Sequence, residues 1–236
     1  MPSSQPTRIT WLGHATVLIQ TPAGTNILID PFIANNPKYP KEFQLPSKIH
    51  YILVSHGHGD HISDAVPCAQ RHGATIAGVY ELVAYLGSKG ASSTIGFNLG
   101  GTIQLDDAAV TMVDAKHSAG AQDEDGTHYV GVACGFVLTI SHAPVLYHAG
   151  DTGIFGDMRL IRDLYHPKVA MLPIGGHYTM DPREAAMAVN FLEPEVVLPL
   201  HFGTFPQLTG TPAELAALVG SKAKVVDWKP AEVYTA

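Results

Sequence analysis

Residues 56–61 read His-Gly-His-Gly-Asp-His, four side chains able to ligate a metal within six positions. The two glycines lack the Cβ atoms that would stop such a loop from folding tightly. His56 and His58 can then aim at one cation while Asp60 and His61 aim at a second. A solvated polar loop is the plain alternative, but polar loops seldom take this order. Imidazole is also the unusual abundance of the chain, with 13 histidines against 2 cysteines in 236 residues. Cys68 and Cys134 form no CxxC pair and read as small buried hydrophobes, so nitrogen and oxygen donors carry the chemistry.

The HxHxDH run resembles the metallo-β-lactamase superfamily, and the resemblance runs the length of the chain. It implies further ligands at later strand ends. His117, after Val113-Asp114-Ala115, fits the third histidine of a first metal beside His56 and His58. Asp151, in Tyr147-His148-Ala149-Gly150-Asp151, fits a carboxylate bridging both metals, and His201 fits the last ligand of a second metal held also by Asp60 and His61. Two divalent cations follow, zinc first, with manganese or iron also suited to a donor set without thiolate. Such a pair lowers the pKa of a shared water towards about 7 and makes a hydroxide nucleophile.

Departures narrow the resemblance. Asp151 stands where the best-known zinc β-lactamases carry Cys, so antibiotic hydrolysis is not expected, and His58 stands where flavodiiron oxygen reductases carry Glu. Trp11-Leu12-Gly13-His14-Ala15 and Ile174-Gly175-Gly176-His177-Tyr178-Thr179-Met180 look like the branch that holds ascorbate-6-phosphate lactonase, N-acyl-phosphatidylethanolamine phospholipase D and the compact UPF0173 group. The resemblance places His14 at the site, as a substrate or supporting contact. Asp30 ends a strand before Pro31 and is expected to hold the far nitrogen of a ligating histidine. His177 is the candidate general acid, and Asp60 is expected to orient the nucleophile while ligating. His148 reads equally well as packed or functional.

The elements that must position these residues alternate. Strands are expected at 8–12, 15–20, 27–30, 51–55, 74–78, 109–113, 129–140, 145–149, 169–174, 196–200 and 224–227. Helices are expected near 62–72, 80–88, 157–165, 182–192 and 212–219. Asp181-Pro182-Arg183-Glu184 and Thr211-Pro212-Ala213-Glu214 each supply a capping side chain, a first-turn Pro and a Glu that reaches back. Periodicity leaves open a doubly wound single sheet. The resemblance implies the other α/β (α+β) arrangement, a four-layer αββα sandwich of two mixed sheets face to face with helices outside. No linker or composition shift divides residues 1–236, so one domain is expected.

Composition sets the remaining bounds. With 14 Lys+Arg against 21 Asp+Glu the formal charge is −7, and no basic run offers the clustered cations that non-specific nucleic-acid binding needs. No apolar run approaches the roughly 20 residues of a membrane span, and residues 1–6 show no secretory pattern, so a cytoplasmic protein is expected. The functional expectation is a binuclear metal-dependent hydrolase whose metal-bridging hydroxide attacks a phosphodiester or other small anionic ester. A lactone or carboxylic ester is the alternative substrate. A non-catalytic metal-binding sensor is the reading from another class, and it sits poorly with an open two-metal ligand set.

Overall fold

A computed structural model describes residues 5–236. The chain opens on β1 (Arg8–Trp11), β2 (Val17–Gln20) and β3 (Asn26–Ile29), an antiparallel meander. It continues through β4 (Tyr51–Val54), the short α1 (Gly59–Ile62), α2 (Ala65–His72), β5 (Thr75–Val79), α3 (Tyr80–Ser88) and β6 (Thr94–Phe97). Strands β3 to β6 run parallel; a long loop makes the crossover from β3 to β4, and α2 and α3 make the next two.

A second sheet begins with β7 (Thr102–Leu105) and β8 (Ala108–Asp114). The small hairpin β9 (Ala121–Asp123) and β10 (Gly126–His128) interrupts it before β11 (Cys134–Ile140) and β12 (Leu146–His148). Then α4 (Met158–Tyr165), β13 (Val169–Pro173), α5 (Pro182–Leu192), β14 (Val196–Leu200), α6 (Pro212–Val219) and β15 (Lys224–Val225) alternate, with β12 to β15 parallel. A last strand, β16 (Val233–Thr235), returns to the first sheet and pairs antiparallel with β1. The two seven-stranded orders are β16-β1-β2-β3-β4-β5-β6 and β15-β14-β13-β12-β11-β8-β7.

Side-chain alternation along the second sheet makes the layers. Val110, Met112, Phe136, Leu138, Leu146, Met171 and Leu198 face the first sheet and join a core with Ile9, Leu18, Leu28 and Leu53. Their neighbours Val113, Val137, Tyr147, Ala170, Leu172 and Val197 face the other way, under α4, α5 and α6. With α2 and α3 packed on the first sheet through Ala69, Leu82 and Leu86, the order is helix, sheet, sheet, helix. This is the expected αββα sandwich rather than a single doubly wound sheet.

Both capping boxes form. Asp181 accepts from the backbone of Arg183 and Glu184, and Thr211 from that of Glu214, while each Glu reaches back to its cap. Cys68 and Cys134 are buried and free. Two expectations differ from the structure. The strand expected over 129–140 begins only at Cys134, because 129–133 leave the sheet as a loop in which Tyr129 is 80% exposed. The helix expected over 62–72 is two pieces, broken at Ser63 and Asp64, where the Asp64 carboxylate accepts from the backbone of Ile33 and Ala34 instead. Strand β6, the β9–β10 hairpin and the C-terminal β16, each too short to carry a pattern of its own, were not anticipated. No helix among the described residues is long and apolar enough to cross a membrane.

Candidate metal centre

The site lies where the carboxyl ends of strands from both sheets meet. β3 ends at Asp30, β4 leads into His56-Gly-His-Gly-Asp-His61, β8 leads to His117, β12 to Asp151, and β14 to His201. The tight loop after β4 depends on Gly57: a Cβ there would stand 2.5 Å from the Ala119 carbonyl oxygen and 2.6 Å from Val130 Cγ2. Gly150, at φ +61, turns the chain just before Asp151, and a Cβ there would meet the Cys134 carbonyl oxygen at 2.4 Å.

A chain of hydrogen bonds decides which imidazole nitrogens face the centre. Asp30, fully buried, accepts from the Ser55 backbone N–H at 2.7 Å, the Ser55 hydroxyl at 2.6 Å and His61 Nδ1 at 2.8 Å. Since Ser55 has spent its proton on Asp30, His56 Nδ1 donates to the Ser55 oxygen at 3.0 Å. Both His56 and His61 therefore carry their proton on Nδ1 and turn a bare Nε2 inward. The backbone of Asp30 sits at φ +46, held by Thr16, whose hydroxyl donates to the Asp30 carbonyl at 2.7 Å and accepts from Phe32 N–H at 3.1 Å.

The ligand atoms of His56, His58 and His117 lie within 4.8 Å of one another, as do those of Asp60, His61 and His201 with His14. Asp151 stands between the groups: its Oδ2 is 3.3 Å from His61 Nε2, 3.0 Å from His201 Nε2 and 3.7 Å from His117 Nε2. Although close, neither His61 Nε2 nor His201 Nε2 makes a hydrogen bond, and Asp151 Oδ1 is also buried without a partner. Unpaired buried acceptors facing a carboxylate are costly unless positive charge lies among them. The donor set therefore fits divalent cations, with His56, His58 and His117 able to hold one, Asp60, His61 and His201 a second, and Asp151 both.

Electrostatics agree. Burial holds the imidazoles of His56, His58 and His117 below the ordinary histidine range, so they are neutral and free to ligate. For Asp151 burial opposes ionisation, but His201 and His61 overcome it and keep the carboxyl well below the usual range. At His61 burial opposes positive charge, yet Asp151 and Asp30 outweigh it and push the imidazole well above its usual range. The field that would retain a proton there favours a cation equally.

His14 is fully buried and uses both ring nitrogens, with Nε2 3.0 Å from Asp60 Oδ2 and Nδ1 3.0 Å from Thr204 Oγ1. Burial lowers its pKa to about 4. Its Nε2 meets Asp60, and it does not line the cleft. His148 is likewise internal: Nδ1 accepts from Gly150 N–H at 3.1 Å, steadying the Asp151 turn.

The expectation that His177 serves as a general acid meets a different geometry. His177 is the middle residue of a three-residue turn, at φ +55, closed by Tyr178 N–H donating to the Gly176 carbonyl at 2.6 Å. The turn sends His177 outward to an exposed position and brings Tyr178 to the cleft instead. The cleft holds about 560 Å³. Its floor is His58, Asp60, His117, Asp151 and His201; its walls are Ser118, Tyr178, Phe205 and Gln207. None of these wall residues was marked in the sequence, and only the adjacency of Tyr178 to His177 could have signalled one of them.

Comparison with known proteins gives the family. Residues 8–201 match the family described as the Beta-lactamase superfamily domain. The chain is 48% identical over 228 residues to a UPF0173 metal-dependent hydrolase of Koribacter versatilis, covering 97% of each protein. It is 44% identical to one of Methanopyrus kandleri, covering 96% of this chain and 99% of that one. Among solved structures it resembles Igni18, described as a novel metallo hydrolase from Ignicoccus hospitalis, at 36% identity and a TM-score of 0.86 over 98% of both chains. The chain belongs to the UPF0173 family of metal-dependent hydrolases, on the metallo-β-lactamase fold.

Proposed function

We propose that this chain is a binuclear hydrolase of a small ester, working at the cleft where both sheets end. The observation that carries the reading is the position of Asp151, whose Oδ2 lies within 3.7 Å of histidines from both ligand groups. A closed structural site would satisfy all its donors on one ion; here the shared carboxylate opens onto a cleft. His56, His58 and His117 would hold one cation and Asp60, His61 and His201 the other. When bound, such a pair lowers the pKa of water and polarises the scissile bond.

The protein's own groups supply the rest. Asp60 Oδ2, braced by His14 Nε2 at 3.0 Å, is set to orient the attacking water and take its proton. His14 is in turn fixed by Thr204, so this carboxylate cannot swing away when substrate enters. His58, half-buried at the floor, has a neighbour in Ser118 Oγ, 3.3 Å from its Nε2. A phosphodiester and a carboxylic ester both suit such a centre.

Metal content measured on purified protein and on Asp151→Ala tests the proposal. Two equivalents in the natural protein, at most one in the variant, and at least a 100-fold loss of turnover on an ester panel are expected. One tightly held ion with no turnover of any ester would favour a sensor and overturn the reading.

A further inference from the structure

The floor of the cleft is polar, but its walls are not charged. Tyr178 and Phe205 supply aromatic faces, Ser118 and Gln207 neutral hydrogen-bonding groups, and no Lys or Arg lines the cleft among the described residues. The basic side chain nearest in sequence to a ligand, Lys116, is turned away: it pairs with Asp114 and lies 5.8 Å from the Phe155 ring centroid. A substrate bearing anionic groups beyond its reacting centre would meet no fixed cation on these walls.

The aromatic walls are instead suited to an apolar arm. Phe205 is held edge-on against His14, with ring centroids 5.6 Å apart, so it is anchored to the buried part of the site. Tyr178 is braced by His177 at 4.4 Å and remains 54% exposed, leaving apolar surface that a ligand can cover.

We propose that Tyr178 and Phe205 are the specificity walls of the cleft and select an uncharged carboxylic ester or lactone with an apolar arm. The inference rests on the hydrolase reading above and places the carboxylic ester ahead of the phosphodiester that the charge of a metal pair alone would favour. In the reaction water oxygen bonds to the acyl carbon, the carbon–oxygen ester bond breaks, the leaving alkoxide takes a proton, and the second proton of the water is released as the acid ionises.

The test uses the metal-loaded protein with p-nitrophenyl acetate, butyrate and hexanoate, and with bis(p-nitrophenyl) phosphate. KM should fall about two- to fourfold per added methylene. That gradient should flatten in Tyr178→Ala and Phe205→Ala and persist in Tyr178→Phe. Gln207→Arg should lower KM for the phosphodiester at least threefold. A readout independent of turnover is saturation-transfer NMR with 4-phenylbutan-2-one, an uncharged ketone that cannot be hydrolysed: transfer should be seen with the natural protein and lost in the Tyr178→Ala/Phe205→Ala double variant. A KM indifferent to chain length, or equal ketone transfer in both proteins, overturns the specificity proposal while metal-dependent turnover leaves the hydrolase standing. Absence of metal-dependent turnover on every ester overturns the hydrolase itself.

Discussion

Asp30 shows how much of the centre is set by a residue that ligates nothing. Its two oxygens take three hydrogen bonds and so choose the tautomers of His56 and His61. Asp30→Asn is a clean probe, since Asn tolerates the left-handed backbone found there. The amide group would present a donor to at least one existing donor, freeing His61 to protonate on the wrong nitrogen. Metal affinity, measured by chelator competition, should fall about 10- to 100-fold, and an unchanged affinity would show that the ring orientations are held by packing alone. Asp30 was legible in the sequence because ligating histidines need a carboxylate or carbonyl on their other nitrogen, although a strand-ending Asp before Pro often only forms a turn. The turn that exchanges His177 for Tyr178 was not legible: a positive φ at a histidine, closed by Tyr178 N–H on the Gly176 carbonyl, leaves no mark in residue type or period.

Among the elements, the long strands and the capped helices were readable because period, Pro and Glu act over a few residues. The hairpin β9–β10 was not, since its three-residue strands carry no pattern and its place depends on α3. Asp123 is the joint. It accepts from Tyr85 Oη at 3.0 Å and His128 Nε2 at 2.7 Å, and pairs with Lys89 Nζ at 2.6 Å. Lys89 foremost, then His128, holds the Asp123 carboxyl well below the usual carboxylate range. A depressed folded value means that this contribution is complete above the ordinary Asp value of about 3.9, declines below it, and is lost only as pH falls through the lower folded value. Asp123→Asn imposes the acid condition at neutral pH. Amide-exchange protection over 121–128 should then drop at pH 7, with the central strands unaffected. Protection equal to that of the natural protein would mean that strand pairing alone secures the hairpin.

At the scale of the molecule, the ligands are divided between the sheets. The 56–61 loop, with Asp30 behind it, comes from the first, while His117, Asp151 and His201 come from the second. A cluster around Trp11 joins the same two sheets beside the site: its ring stacks on Phe202 at 5.0 Å and Trp228 at 5.7 Å, and its Nε1–H donates to the His14 carbonyl at 2.9 Å. Backbone continuity follows, because His201 N–H donates to that same carbonyl at 2.9 Å. Cations shared across this seam would bind the folded chain and not the unfolded one, so they add to global stability. At a free concentration 100 times Kd each site contributes about 2.7 kcal/mol, and for a chain of this size 1 kcal/mol moves Tm by about 2–4 °C. Removing metal with a chelator should therefore lower Tm by roughly 5–11 °C per site, with the transition remaining single. Asp151→Ala, which unlinks the two groups, should shrink the difference between metal-loaded and stripped protein. A Tm indifferent to the chelator would place the ions, if bound, outside the seam between the sheets, and would separate the stability of the fold from its centre.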